Sequence, residues 1–244
     1  MPAPYEQRDC LVFVIEAPSS KDLYESRSEG QHLCELLRLA GIKSRYHLTA
    51  DAERFRDALD ALYTIAGTLS SEALLLHISA HGNNAGIQLT SGETVTWDQL
   101  KQLIMPVNDA VDGRLIVCMS SCEGFSACEM AMEEGSLPFL GIVGHVAKPS
   151  WSDTAVAFHA FYHLYAKGLG VEKATEAMRA ASGEPGFVAV HGPKLQQSFV
   201  QRCRKLNLSS ALASSTPRSA PAIPMPPTTE QKTRVLGESH RRSA

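Results

Sequence analysis

The sequence predicts an α/β protein with a mostly parallel sheet of about six strands between two layers of helices. Three observations lead to this prediction. Short apolar runs alternate with segments of helical apolar spacing, capping residues stand between them, and the run at residues 114–120 is apolar on both faces. Alternating β and α segments build parallel sheets, and a strand without a polar face belongs in the middle of such a sheet.

The first half of the domain is predicted to contain three strands and two helices. Leu33, Leu36 and Leu37 lie at helical spacing before Gly41, a C-capping residue. Asp51 is a candidate N-cap for the second helix. The predicted strands are 10–16, 42–48 and 73–79, and the predicted helices are 25–40 and 51–66.

The second half continues the alternation after a small hairpin. Residues 86–90 and 94–97 flank a glycine turn, which predicts two short antiparallel strands. The remaining elements are predicted as a helix at 98–104, strands at 114–120, 138–146 and 187–191, a helix at 126–134, and either one helix over 153–181 or two broken near 168–170.

Residues 1–207 are predicted to form one domain. Residues 208–244, rich in Pro, Ser and Arg, are predicted to be a disordered tail, because few large apolar residues are available to order them.

Composition excludes several classes of protein. Hydrophobic residues make up 44% of the 244 residues and the net charge is -3, so neither a nucleic-acid partner nor a membrane surface is indicated. No apolar run approaches the roughly 20 residues of a membrane span, and we find no signal peptide pattern. The six cysteines do not resemble a disulfide scaffold. A cytoplasmic location is therefore predicted.

His81 and Cys122 follow two of the apolar runs, and each stands close to a glycine. Ligands of open α/β sheets bind beyond the carboxyl ends of the strands, so we expect both side chains in one cleft if the strands are neighbours. A helix N-terminus or an imidazolium lowers the pKa of a thiol, and the helix predicted after Cys122 is expected to do so. Either residue alone is more often a packing or solvated group; the pair points to nucleophilic catalysis.

The order of these motifs resembles the caspase-like cysteine peptidases of clan CD. An apolar strand, His81-Gly82, a hairpin and a helix precede a second apolar strand that ends Ser120-Ser-Cys122-Glu-Gly124. The segment from Ile142 through Asp153 to Ala181 is similar to the CHAT branch of this group. The resemblance covers most of residues 10–192 and implies a caspase-like three-layer αβα sandwich.

The resemblance implies a cysteine-type endopeptidase, a thiol protease hydrolysing a protein or peptide substrate. Cys122 would be the nucleophile and His81 the general base. The amides of Gly82 and Cys122 would bind the oxyanion. Asp153 would receive a basic P1 side chain, although capping of the following helix is an alternative role for it. A regulatory protein partner is possible within this resemblance.

No cofactor or metal is predicted. The chain has no phosphate-binding glycine loop and no Cys-x-x-Cys pair, and His159 and His163 lack a His-Glu-x-x-His pattern. Two functions from other classes stay open. One is a non-catalytic caspase-like interaction module in a signalling or defence complex, and the other is a small-molecule-binding flavodoxin-like domain.

Overall fold

A computed structural model describes residues 8–214. They contain eight strands, seven α-helices and one 3-10 helix. The strands are β1 (Cys10–Ala17), β2 (Lys43–Leu48), β3 (Ala73–Asn83), β4 (Gly86–Gln88), β5 (Thr94–Thr96), β6 (Ile116–Ser120), β7 (Gly141–His145) and β8 (Phe187–His191). The helices are α1 (Ser20–Tyr24), α2 (Glu29–Leu39), α3 (Ala52–Ala66), α4 (Trp97–Ala110), α5 (Trp151–Ala166), α6 (Val171–Ser182) and α7 (Gly192–Ser214), with the 3-10 helix at Gly124–Ala131.

The main sheet has six strands in the order β2-β1-β3-β6-β7-β8. All neighbouring pairs are parallel except β7 and β8, which run antiparallel. The hairpin of β4 and β5 extends the last residues of β3 and forms a small antiparallel sheet. The predicted mostly parallel sheet of about six strands is thereby confirmed.

Helices cover both faces of this sheet, as predicted. Alternate side chains of β1 separate the two cores, because successive residues of a strand point to opposite faces. Phe13 and Ile15 pack in the core that contains residues of α3, α4 and the 3-10 helix. Val12 and Val14 pack in the core that contains residues of α2, α5 and α6.

Several predicted elements differ from those observed. The region predicted as one helix over 25–40 holds only α2, and the short α1 precedes it. The prediction that α4 ends at residue 104 is wrong, because the helix continues through Pro106 with Val107 buried against the core. The α-helix predicted at 126–134 is instead the 3-10 helix. The predicted break between two helices near 168–170 is confirmed.

The C-terminal helix α7 was not expected from the sequence. Pro193 occupies its first turn, where a proline costs no intrahelical hydrogen bond. The predicted domain boundary at 207 falls inside this helix, and residues 215–244 of the predicted tail lie outside the described residues. Residues 8–204 belong to one compact unit, which contains the sheet. Within residues 8–214, none of the helices is both long and apolar enough to cross a membrane.

Candidate active site

The pairing of β3 with β6 positions His81 and Cys122. The register of this parallel pair ends with Ser79 opposite Ser120. His81 and Cys122 each follow two residues later, so they leave the sheet at the same end. Beyond this point β3 changes partner and His81 pairs with Gln88 of β4. His81 is therefore held by the hairpin on one side and faces the end of β6 on the other.

Both residues line one cavity of about 70 Å³. The other lining residues come from the ends of β3 and β6 and from the start of α5: Ala80, Ser120, Ser121, Pro149, Trp151 and Thr154. The Trp151 ring stands edge-on to the His81 ring, with centroids 5.7 Å apart and an interplanar angle of 88°. The indole limits the rotation of the imidazole and forms an apolar wall of the cavity.

The imidazole of His81 is paired with a carboxylate that the sequence did not reveal. Nε2 of His81 lies 2.6 Å from Oδ2 of Asp22, the middle residue of the short helix α1. The side chain of Asp22 is 6% exposed and that of His81 is 40% exposed. Ser19 caps α1 and donates its amide and its hydroxyl to the same carboxylate oxygen. The capping box therefore fixes Asp22 beneath the imidazole.

The contact with Asp22 assigns a tautomer to His81. Burial raises the pKa of Asp22, but the hydrogen bonds from Ser19 and His81 and the charge of the imidazole outweigh it, so the pKa of Asp22 is lowered. An ionised carboxylate only accepts hydrogen bonds, so Nε2 must carry the shared proton. In the neutral imidazole this leaves the lone pair on Nδ1, which is the nitrogen free to act as a base.

Cys122 lies in a tight turn that needs glycine after it. Glu123 adopts a left-handed backbone conformation with φ of 55°, and Gly124 begins the 3-10 helix. A Cβ atom on Gly124 would lie 2.7 Å from Ser121 Oγ and 2.9 Å from Met119 Cβ. The chain therefore folds back on the end of β6, which leaves Cys122 at the apex of the turn.

The thiol of Cys122 is not activated in the way the sequence predicts. Burial raises its pKa, the charge of Lys148 lowers it and the charge of Glu123 raises it, with a raised pKa as the result. The expected α-helix N-terminus is absent, because the following segment is a 3-10 helix. Among the described residues, the side chain of His81 is hydrogen-bonded to Asp22 and no hydrogen bond joins it to Cys122. The resting form of this site is thus a neutral thiol.

The two backbone segments that carry the predicted oxyanion donors pack closely together. A Cβ atom on Gly82 would lie 3.1 Å from the carbonyl oxygen of Cys122 and 3.1 Å from Ser121 Cβ, so the backbones of the two loops are in close contact. The amide of Cys122 contacts its own sulfur. Within residues 8–214, no carbonyl oxygen accepts a hydrogen bond from this amide.

Ser150, not Asp153, is the N-cap of α5, so the capping role considered for Asp153 is wrong; Asp153 lies in the first turn of the helix. The Ser150 hydroxyl accepts a hydrogen bond from the Asp153 amide at 3.1 Å and donates one to its carboxylate at 2.5 Å. Asp153 is not among the residues that line the cavity. Its role in binding substrate stays a prediction.

The comparisons with known proteins give matches among solved structures only. No family model matches the chain, and no curated protein matches it. Among solved structures it is similar to the Drosophila initiator caspase Dronc, with 9% sequence identity and a TM-score of 0.48. The alignment covers 77% of this chain and 82% of that one.

Proposed function

We propose that the chain is a cysteine endopeptidase of caspase-like type. The observation that carries the proposal is the placement of His81 and Cys122 on one cavity, with Nε2 of His81 2.6 Å from the carboxylate of Asp22. A nucleophile, a base and a group that orients the base are the three parts of a hydrolytic triad. Three separate chain segments supply them here.

The proposed reaction begins when substrate reaches the neutral thiol. Nδ1 of His81 accepts the thiol proton as Cys122 Sγ attacks the peptide carbonyl carbon, and Asp22 stabilises the imidazolium that forms. The amides of Gly82 and Cys122 donate to the oxyanion. His81 then protonates the leaving amine as the C–N bond breaks, and a water molecule deprotonated by His81 hydrolyses the thioester. No metal takes part.

The proposal includes cleavage after a basic P1 residue. Neither lysine nor arginine occurs among the lining residues of the cavity, so it holds no cation to receive an acidic side chain. The carboxylate of Asp22 is hydrogen-bonded to His81 behind the lining. The lack of a cation in the lining disfavours an acidic P1 side chain.

A thiol-reactive peptide probe with a basic P1 residue tests the proposal. We expect the parent chain to be labelled at Cys122, and Cys122→Ala and His81→Ala to lose the label. Cys118→Ala is the matched control, because Cys118 is buried in β6 with its pKa raised to about 12 by burial. Absence of labelling and of peptide cleavage by the folded parent chain would instead support the non-catalytic interaction module.

A further inference from the structure

The loop after β7 is tied to the turn that carries Cys122. The Glu123 amide donates a hydrogen bond to the Ala147 carbonyl at 2.8 Å. Glu123 has a left-handed backbone conformation with φ of 55°, which a residue with a side chain adopts at an energetic cost. The bond to Ala147 therefore holds the residue after Cys122 in a conformation that it does not prefer.

The same loop supplies part of the cavity. Pro149 and Trp151 line the cavity, and the Trp151 ring stands against the ring of His81. Lys148 lies between Ala147 and Pro149, with its Nζ 3.7 Å from Oε1 of Glu123. A displacement of this loop would therefore move groups that stand beside His81 and beside Cys122.

His145 fixes the start of the loop. It is the last residue of β7, and its Nδ1 accepts a hydrogen bond from the Ala147 amide at 3.0 Å. Asparagine and aspartate make the same contact, with the amide two residues further on, when they close a turn. Ala147 is thus held at both ends, by His145 at its amide and by Glu123 at its carbonyl.

Packing alone does not explain a histidine at position 145. The residue is 4% exposed and its ring stands edge-on to Phe187, with centroids 4.8 Å apart. Since Nδ1 accepts, the proton of the neutral ring is on Nε2. Nε2 is buried without a hydrogen-bond partner, 3.6 Å from Oε2 of Glu184. An apolar side chain would fill this space without a buried unpaired donor, which is costly, so the useful atom of the ring is Nδ1.

We infer that His145 is a positioning residue of the peptidase, which sets the turn of Cys122 through Ala147. The inference rests on the proposed peptidase function. His145 is not among the residues that line the cavity, so it acts through the loop and takes no part in the chemistry. The acceptor at Nδ1 is the feature that matters.

The test compares His145→Asn with His145→Leu. The two side chains have nearly the same shape and both lack the ring, but only asparagine offers an acceptor to the Ala147 amide. We expect kcat for a peptide substrate to fall about 100-fold in the leucine variant, because the nucleophile is displaced, and less than about 10-fold in the asparagine variant. Urea denaturation gives the folded fraction by which each rate is corrected, so that a loss of stability alone does not move kcat.

Alkylation of Cys122 by iodoacetamide supplies a readout that needs no substrate. The charge of Lys148 lowers the pKa of Cys122, so a displaced loop is expected to move the midpoint of alkylation to higher pH. We expect this shift in His145→Leu and not in His145→Asn. Glu184→Gln is the control, because it removes the charge that faces Nε2 and keeps the acceptor; both readouts are expected to stay at the parent value.

The outcomes separate this inference from the proposed function. If His145→Leu fails to fold, His145→Ala takes its place, since it also removes the acceptor. Equal kcat in the asparagine variant and in the variant without an acceptor, or an equal loss in Glu184→Gln, overturns the role of His145 while the peptidase stands. A folded parent chain that cleaves no peptide overturns the peptidase. The alkylation midpoints then decide alone, and equal midpoints in the asparagine and leucine variants overturn the positioning of Cys122 as well.

Discussion

Nε2 of His81 and Oδ2 of Asp22 are 2.6 Å apart, and the carboxylate is almost fully buried. Asp22→Asn replaces the carboxylate by an amide, which no longer requires the proton of the imidazole to be on Nε2. We expect kcat for a peptide substrate to fall by about 10²- to 10⁴-fold with little change in KM. Steady-state kinetics of the variant measure both quantities.

Ser19→Ala is the control for this variant. It removes the hydroxyl that caps α1 and contacts Asp22, but it leaves the carboxylate beside His81. We expect a loss of kcat below about 10-fold, with a lower stability of the order of 1 kcal/mol from the lost cap. Equal losses in the two variants would mean that Asp22 acts only through the helix cap.

The raised pKa of Cys122 predicts the pH dependence of its alkylation. Only the thiolate reacts, so the rate with iodoacetamide is expected to rise with pH to a midpoint above the ordinary value of about 8.5. Lys148→Ala removes a charge that lowers this pKa and is expected to raise the midpoint. Glu123→Gln removes a charge that raises the pKa and is expected to lower the midpoint. Mass spectrometry of the Cys122 peptide gives the rates, and shifts of the same sign in both variants would contradict the prediction.

Gly124 is expected to tolerate no side chain. Its Cβ would come within 2.9 Å of Met119 Cβ and within 3.0 Å of the Met119 carbonyl oxygen. We expect Gly124→Ala to lower the free energy of unfolding by about 1–3 kcal/mol, as measured by urea denaturation. Gly67→Ala is the matched control, because the nearest atom to its Cβ is 3.7 Å away. Similar effects at both positions would refute the steric argument.

Asn108 joins α4 to the strand region around β6. Its Nδ2 donates to the Leu137 carbonyl at 2.8 Å and its Oδ1 accepts from the Leu115 amide at 3.0 Å, with the residue 3% exposed. Asn108→Leu leaves the buried amide of Leu115 unpaired, at a cost of about 1–3 kcal/mol, and removes the donor to the partly buried Leu137 carbonyl. The exposed neighbour Asp109→Ala is expected to change stability by less than about 0.5 kcal/mol. Urea denaturation that ranks the two variants equally would contradict this role.

The strands were predictable because their apolar runs are short, strong and separated by glycines or caps. Asp51 caps α3 as predicted, accepting from the Arg54 amide at 2.8 Å.

The prediction of an α-helix after Cys122 was wrong because the apolar residues of this segment also suit a helix of about 3.6 residues per turn. The segment is a 3-10 helix that begins at Gly124, where the backbone passes so close to Met119 of β6 that a Cβ atom would not fit. No local pattern encodes this close approach.

Asp22 was missed because α1 is too short to show helical periodicity. The available signal was Ser19 followed three residues later by an acidic residue, which is a capping pattern. Its placement after β1 marked it as a neighbour of the residues after β3.

Asp22 and Cys122 follow β1 and β6, and His81 lies near the end of β3. These three strands are adjacent in the sheet but are separated along the chain by β2 and by the hairpin. Pairing between distant segments requires costly loop closure and is slow compared with local contacts. In a newly synthesised chain, His81 and Cys122 are therefore brought together with Asp22 only after β1, β3 and β6 have paired. For the proposed peptidase this means that activity appears only late in folding, and that a partly folded chain does not cleave its neighbours.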